Sequence, residues 1–389
     1  MKKSKFILAV LGTVMCLSAC SGQTDNVNET TVAAADNTTA AEKTEAATTT
    51  AATDVTVAGE TNVVSEDEAR REAIREAFLE QANEVVIGDD TVTFTDANGQ
   101  TLTINKNPQK VYNLYASYTT LWYEAGGVAA GVLGGEAIVE NYIEYIGRDI
   151  TLDEGMEVLA TTPHGSKWSA ESIVAGAPDL IICSTALSGY KSISSPAEVA
   201  NIPVIAISYD SFEDYLKWYR VFTGLTERED LWESVGLNAL DKVVDVMMEV
   251  PEEGGPEVFI MFPVSGALQA NTSQTVLGEM AQSLGAVNIV DSWNNPEGAQ
   301  RLDINLETVY EADPELILIQ CHGGEEEAKT IIAEEYANNP VWNELTAVKN
   351  DKIYYLSKLL FHNKPNSRFA EAYQILAKVL YPDKEFSFE

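Results

Sequence analysis

Ser169-Ala-Glu-Ser-Ile-Val-Ala-Gly-Ala-Pro-Asp-Leu-Ile-Ile182 and Asn305-Leu-Glu-Thr-Val-Tyr-Glu-Ala-Asp-Pro-Glu-Leu-Ile-Leu318 read as two copies of one unit. In each, a glutamate (Glu171, Glu307) stands seven residues before a proline (Pro178, Pro314), and an acid and an apolar run follow. The pattern predicts a short helix opening on a polar cap, a proline stop and a buried parallel strand. A chain that carries this unit twice is expected to form two similar α/β lobes, and a cleft between lobes is a usual place for a small ligand.

Strand-like runs lie on either side of the first copy. Thr91-Val-Thr-Phe-Thr95 and Thr101-Leu-Thr-Ile104 alternate around the turn Ala97-Asn-Gly-Gln100 and predict a hairpin. Further strands are expected at 111–114, about 129–133, 180–183 and 204–207, with helices and loops between them, which makes residues 90–226 an N-terminal lobe. Residues 227–250 contain no proline and space Leu231, Leu237, Leu240, Val243, Val244 and Met247 at helical intervals, so one long helix is expected to join the lobes. Pro251-Glu-Glu-Gly-Gly-Pro256 stops it. A second series over 251–389 then has strands at 257–262, 287–290 and 353–356, helices at 276–284 and 368–380, and the second repeat at 305–319. The expected fold is α/β: two Rossmann-like lobes joined by one long rigid helix, with the ligand cleft between them. Residues 65–89 predict a short charged helix with a capped start and an apolar stripe so thin that it should pack only loosely.

The N-terminus reads as an address. Lys2, Lys3 and Lys5 precede an apolar segment, Phe6 to Val14, that is too short to span a bilayer. Leu17-Ser18-Ala19-Cys20 ends it in the manner of a bacterial lipoprotein signal, so residues 1–19 are expected to be removed and Cys20 to carry lipid. Residues 20–64, rich in Thr, Ala, Asn and Asp, bury too little apolar surface to fold and are expected to be a disordered tether. Cys183 and Cys321 remain, which does not indicate a disulfide framework. The formal charge of −35 argues against nucleic acid and against adsorption on anionic lipid, and favours solubility outside the membrane.

The chain resembles the solute-binding lipoproteins of ABC importers that carry iron–siderophore complexes, haem and cobalamin. The resemblance covers about residues 90 to 385. It is carried by the order and spacing of the hairpin with Val111-Tyr-Asn-Leu114, the two repeats, Leu284-Gly-Ala-Val-Asn288, Asn339-Pro-Val-Trp-Asn-Glu-Leu-Thr-Ala-Val-Lys-Asn350 and Leu380-Tyr-Pro-Asp383. It implies two lobes bridged by a rigid helix, modest hinge motion, an ABC permease as partner, and docking of Glu171 and Glu307 against permease arginines. Without the resemblance, both glutamates read as exposed acids in a helix's first turn, where the dipole favours them.

Ligands in open parallel sheets bind beyond the carboxyl ends of the strands. Here that selects the loops near 113–123, 161–168, 183–192, 264–274, 293–301, 320–324 and 357–368. All three histidines of the chain, His164, His322 and His362, fall in these loops. Neutral imidazole is a good ligand for iron. Base is concentrated in the same loops of this acidic chain: Lys167, Lys191, Arg301, Lys358, Lys364 and Arg368. A positive cleft on a negative body attracts an anion, and Arg grips a carboxylate with two hydrogen bonds. Tyr115, Tyr118, Trp168 and Tyr190 add aromatic surface and phenols. Cys183 and Cys321 fit small buried side chains at strand ends better than metal ligands.

No nucleophile elbow, zinc-protease motif, phosphate loop or dinucleotide fingerprint is present in the sequence. The expected function is therefore binding. An extracytoplasmic, lipid-anchored monomer with no cofactor of its own captures a ferric complex of siderophore type and delivers it to an ABC permease. A haem or cobalamin binder of the same class is the alternative. A metal chelatase, with His164 and Glu171 as its nearest pair, and a ligand-binding sensory lipoprotein are alternatives of another class.

Overall fold

Two stretches of unbroken burial organise the molecule: Leu180–Ser184 and Leu316–Gln320, in which every residue is inaccessible to solvent. Each is an apolar run because it lies inside a sheet covered on both faces. The computed structural model describes residues 65–162, 168–252, 254–264, 267–336 and 338–388. The signal segment 1–19, the tether 20–64 with Cys20, and the expected ligand residues His164 and Lys167 lie outside these. Asp67–Glu389 forms one unit and is described by itself.

The N-terminal lobe is a five-stranded, all-parallel sheet in the order Glu157–Ala160, Gly131–Leu133, Val111–Asn113, Leu180–Ser184, Val204–Ile207. A small antiparallel sheet stands beside it: Val86–Ile87 pairs with Thr91–Thr95, which pairs with Thr101–Asn105. The C-terminal lobe has a parallel centre, with Glu257–Val264 beside Leu316–Gln320 and the latter beside Ile353–Leu356. Its other edge departs from expectation. Ala267–Asn271 and Arg301–Asp303 are strands that extend the sheet in antiparallel fashion, where the sequence reads as loop.

The two repeats fold alike down to their backbone. Ser169 caps the helix Ala170–Ala175 by accepting from the Ser172 N–H, and Asn305 caps Leu306–Ala312 by accepting from Glu307 and Thr308. The residue just before each proline, Ala177 or Asp313, is left-handed, with φ of 47° and 45°. The residue preceding a proline is barred from continuing a helix, so the chain turns out at the same place in both lobes. The acid after each proline then ties the new strand to its neighbour. Asp179 Oδ2 accepts from the Gln109 and Lys110 N–H groups at 2.9 and 2.8 Å, and Glu315 Oε1 accepts from the Glu257 N–H at 3.3 Å.

The expected long helix is helical from Glu229 to Glu249, but Trp232–Leu237 within it is π-helical. Gly236 sits in this segment, where a Cβ would lie 2.8 Å from the Trp232 ring and 3.0 Å from Tyr219. The wider turn and the missing side chain let the helix cross Phe212–Leu225 closely. Helix Glu66–Asn83 packs more firmly than its thin stripe predicts. Arg70 donates to the Met247 and Met248 carbonyls, Arg71 and Arg75 pair with Asp245 and Asp241, and Ile74, Phe78 and Ala82 are buried.

The lobes meet along an aromatic seam. Phe212 and Tyr215 of the N-terminal lobe face Phe369 at 5.1 and 5.6 Å, and Phe212 faces Tyr373 at 6.0 Å. Two carboxyl tips are trapped beside it. Glu124 is hydrogen-bonded by Ser367, and Glu279 accepts from Ser283 Oγ at 2.8 Å with Asp214 and Glu213 nearby. The second oxygen of each is buried with no hydrogen-bond partner among the described residues. Burial raises both carboxyls to about 7. Because their folded pKa lies above the unfolded value, their stabilising contribution is complete below about pH 4.5 and is lost as pH rises through 7. Unfolding midpoints should therefore fall between pH 5 and 8. Self-repulsion of the acidic chain gives a trend of the same sign, so the reading comes from Glu279→Gln. That variant should lessen the fall by about 2 kcal/mol. A variant whose urea-unfolding curves parallel the wild type at pH 5, 6, 7 and 8 would remove Glu279 as a source.

Candidate functional site

Arg301, His322, Lys358 and His362 converge at the carboxyl end of the C-terminal sheet. Arg301 opens strand Arg301–Asp303, His322 follows Leu316–Gln320, and Lys358 and His362 bracket the short helix Lys358–Phe361 that follows Ile353–Leu356. The imidazoles of His322 and His362 stand edge to face with centroids 5.0 Å apart, and Phe262 stacks on His362 at 5.2 Å. The Arg301 guanidinium lies over the other part of this cluster, 4.2 Å from the Phe262 centroid.

A relay of buried amides fixes these groups. Asn288 Nδ2 donates to the Asn271 carbonyl, Asn271 Nδ2 donates to Gln320 Oε1 at 2.8 Å, and Gln320 Nε2 donates to the Phe361 carbonyl next to His362. Arg301 Nε donates to Asn271 Oδ1 at 3.1 Å. Asn271, Gln320 and Asn288 are all buried, and such groups persist only when hydrogen-bonded. Their register therefore sets where the guanidinium and the imidazoles stand.

Electrostatics then decides protonation. Burial first, then the neighbouring His322, Arg301, Lys358 and Lys364, holds His362 down to about 3. Burial, Lys358 and Arg301 also lower His322, against a contrary pull from Glu327. Both rings are thus neutral near pH 7, and His362 Nδ1 is buried without a hydrogen-bond partner among the described residues. A neutral imidazole with a free nitrogen beside fixed cations is chemically suited to an anionic ligand that carries an electron-poor metal.

The N-terminal lobe contributes Tyr115 and Asp210 beside this cluster, with the Tyr118 and Tyr209 rings buried. Tyr115 and Tyr118 lie 4.4 Å apart, and Tyr209 is stacked 6.2 Å from Tyr118. Burial lowers the basicity of the Arg301 guanidinium, and Asp210 and Tyr115 pull the other way by favouring its charged form. Lys364 Nζ reaches Asp210 Oδ1 at 2.9 Å and lies over the Tyr209 ring.

Several expected ligand residues are committed elsewhere. Tyr118 is 2% exposed and its hydroxyl donates to Ser184 Oγ at 3.5 Å, which makes it a core side chain. Trp168 is buried in the N-terminal core, its indole N–H donating to the Thr162 carbonyl. The Tyr190 hydroxyl accepts from Asn98 Nδ2 at 2.6 Å, at the hairpin turn. Arg368 is held by Glu371 and by Glu144. In this structure each of these four has its polar atoms satisfied by the protein. Asp210 and Phe262, and the buried amides Asn271 and Gln320 that support the cluster, went unrecognised in the sequence. Asp210 follows strand Val204–Ile207, so the carboxyl-end rule would have found it had it been applied to that strand.

Glu171 and Glu307 are both exposed and lie in the first turns of the two capped repeat helices. Surface concavities of about 210, 390 and 240 Å³ lie elsewhere, and none is lined by Arg301, His322 or His362. Among the described residues no group of three or more His, Cys, Asp or Glu side chains is arranged to hold a metal by itself.

Comparison with known proteins agrees with this architecture. Residues 114–359 match the family model for periplasmic binding protein. The high-affinity heme uptake system protein IsdE of Staphylococcus aureus is 27% identical over 136 residues, 35% of this chain and 45% of that protein. The chain thus spans under half the length of the curated relatives it matches. The TroA-like periplasmic binding protein FepB of Veillonella parvula superposes with a TM-score of 0.57 at 21% identity, over 76% of this chain and 91% of that one. An ABC transporter substrate-binding protein of Listeria monocytogenes gives 0.56 at 19%, over 71% of this chain and 100% of that one. At these identities the structural matches establish the fold, an α/β protein with two parallel-sheet lobes.

A direct check concerns the imidazoles. Side-chain carbon shifts of His362, read by NMR on histidine-labelled protein, should stay flat from pH 8 to pH 5, whereas an ordinary histidine moves through its midpoint near 6.5. A His362 midpoint above 6 would show that the ring is hydrated and free of the neighbouring cations.

Proposed function

The chain belongs to the periplasmic binding protein family, a family of binding proteins rather than enzymes, and from that premise we propose that it captures an anionic ferric complex of siderophore type and passes it to the permease of an ABC importer. One observation carries the reading. Arg301 and Lys358 stand beside a neutral imidazole pair, and neither cation has an ion pair among the described residues. On a chain of net charge −35 such a patch focuses the field on an incoming anion. The guanidinium offers two parallel donors to a carboxylate or catecholate edge, and Tyr115 faces it from the other lobe.

Delivery is supported by the repeated unit. Glu171 and Glu307 occupy the same place in each lobe, exposed and at the same rim of their sheets, where two basic sockets of a permease would find them. Tethering through lipid on Cys20 rests on the sequence of residues 1–20. It would keep the binder beside its transporter without a spanning helix.

Haem is the second reading. Two things favour it: the curated relatives are named for heme uptake, and the His322–His362 pair is held neutral. An exposed propionate pair suits Arg301 and Lys358 as well as a siderophore does.

Tryptophan-fluorescence titration of the full chain against a ferric catecholate, a ferric hydroxamate, ferric citrate, haemin and cobalamin separates these readings. Saturation by a ferric catecholate or ferric citrate is expected, weakened about 10–100-fold by Arg301→Ala. Tight haemin binding whose absorbance band shifts in His362→Ala would instead assign haem. No saturation by any of the iron complexes would end the ferric reading. For delivery, Glu171→Ala with Glu307→Ala should abolish uptake by cells while leaving binding intact.

A further inference from the structure

We propose that Asp210 is a specificity-determining residue that sets how much negative charge the cleft accepts. The inference rests on the anion-binding reading above and deepens it. It starts from a juxtaposition that function does not obviously require: a carboxylate placed among the cations of an anion site.

Asp210 follows the carboxyl end of strand Val204–Ile207, and its place is fixed. Its backbone N–H donates to Asp214 Oδ2 at 2.9 Å, and Ser208 Oγ lies 3.4 Å from its Oδ2. Its other oxygen takes the Lys364 ammonium at 2.9 Å, and the pair is largely sheltered, with side-chain exposures of 35% and 11%. Lys364 comes from the C-terminal lobe, so the bond joins the two lobes. Asp210 also favours the charged form of Arg301. Glu327, the other acid near the cluster, acts on His322.

The consequence is a matter of charge counting. Arg301, Lys358 and Lys364 supply three positive charges. Asp210 neutralises Lys364 directly and weakens the pull of Arg301. An incoming anion must compete with a carboxylate already seated on the ammonium. It gains the full field of the three cations only by displacing that carboxylate, which it then faces as a like charge. Repulsion from a like charge grows with the ligand's own charge. Asp210 therefore reduces what each added negative charge on the ligand gains, so its removal should help a trianion far more than a neutral complex.

The test compares wild type, Asp210→Asn and Lys364→Gln as full chains. Three probes span the charge series: a neutral ferric trihydroxamate, haemin with its two propionates, and a ferric tricatecholate of three negative charges. Asp210→Asn should tighten the tricatecholate about tenfold and change the neutral hydroxamate less than twofold, so the ratio of their dissociation constants moves about tenfold. Lys364→Gln, which leaves the carboxylate without its partner, should move that ratio the opposite way. Raising the salt concentration should shrink both effects. An unchanged ratio in Asp210→Asn, with wild type binding the anions, overturns the inference and spares the anion reading. If Asp210→Asn does not fold, the Lys364→Gln ratio decides alone, and no movement in it overturns the inference. Failure of wild type to bind either anion overturns both.

Discussion

Everything about the site depends on the aromatic contact that locks one lobe to the other. Phe369, fully buried, is surrounded by Phe212, Tyr215, Tyr209 and Tyr373. The C-terminal lobe thereby seats its last helix, Phe369–Leu380, in the side of the N-terminal lobe. The segment just before that helix carries Lys358, His362 and Lys364, and it is bound to the opposite lobe along its length. Tyr145 donates to the Leu359 carbonyl, and Arg368 reaches Glu144. Asn366, left-handed and 1% exposed, donates to Thr120 Oγ1 and the Ser117 carbonyl while accepting from Tyr209. A buried amide with all these partners costs little to keep and much to move. Two of the three cations, Lys358 and Lys364, thus belong to one lobe by sequence and sit on a segment positioned by the other.

This arrangement explains the unusual company of neutral imidazoles and cations. A histidine placed among lysines and an arginine could be protonated only at the expense of repulsion, and burial under Phe262 adds a desolvation cost in the same direction. The positive charge therefore resides on residues whose intrinsic basicity is too high to yield, Arg301 and the two lysines. The rings stay neutral and keep a lone pair. The amide relay from Asn288 through Asn271 to Gln320 keeps these unlike groups at fixed distances without placing another charge between them.

The parts of this protein that were legible in its sequence are those where backbone rules act locally. A cap, a proline and an apolar run identify each repeat, because a left-handed residue before proline and a buried strand leave few alternatives. The carboxyl-end rule brought Arg301, His322, Lys358 and His362 into one list, and they do meet. The aromatic candidates fared differently. Tyr118, Trp168 and Tyr190 follow the carboxyl ends of strands, Tyr118 and Tyr190 within helices, but their side chains turn inward or toward the hairpin, and which way a ring turns is decided by its packing partners. Arg368 shows the same limit for charge. Its partners Glu144 and Glu371 come from another lobe and another turn of its helix. The edge strands Ala267–Asn271 and Arg301–Asp303 went unread because their alternation is short and interrupted by glycine-containing turns.

The symmetry of the two lobes and the asymmetry of their chemistry fit together. The repeats give each lobe the same framework, the same left-handed exit before proline and the same acid tying strand to strand, so the two sheets present equivalent rims. On those equivalent rims the residues differ. The C-terminal lobe supplies guanidinium, ammonium and imidazole, while the N-terminal lobe supplies Tyr115 and Asp210. A ligand between them meets donors on one side and a mixed, partly repulsive surface on the other. An anionic ligand of the kind proposed would be oriented with its acidic edge toward Arg301 and Lys358. The exposed glutamates Glu171 and Glu307, by contrast, keep the symmetry of the framework. Recognition of a ligand needs the two lobes to differ, and the proposed recognition by a partner that grips both lobes would need them to match. The duplicated unit is suited to the match, and the loops that follow the sheets to the difference.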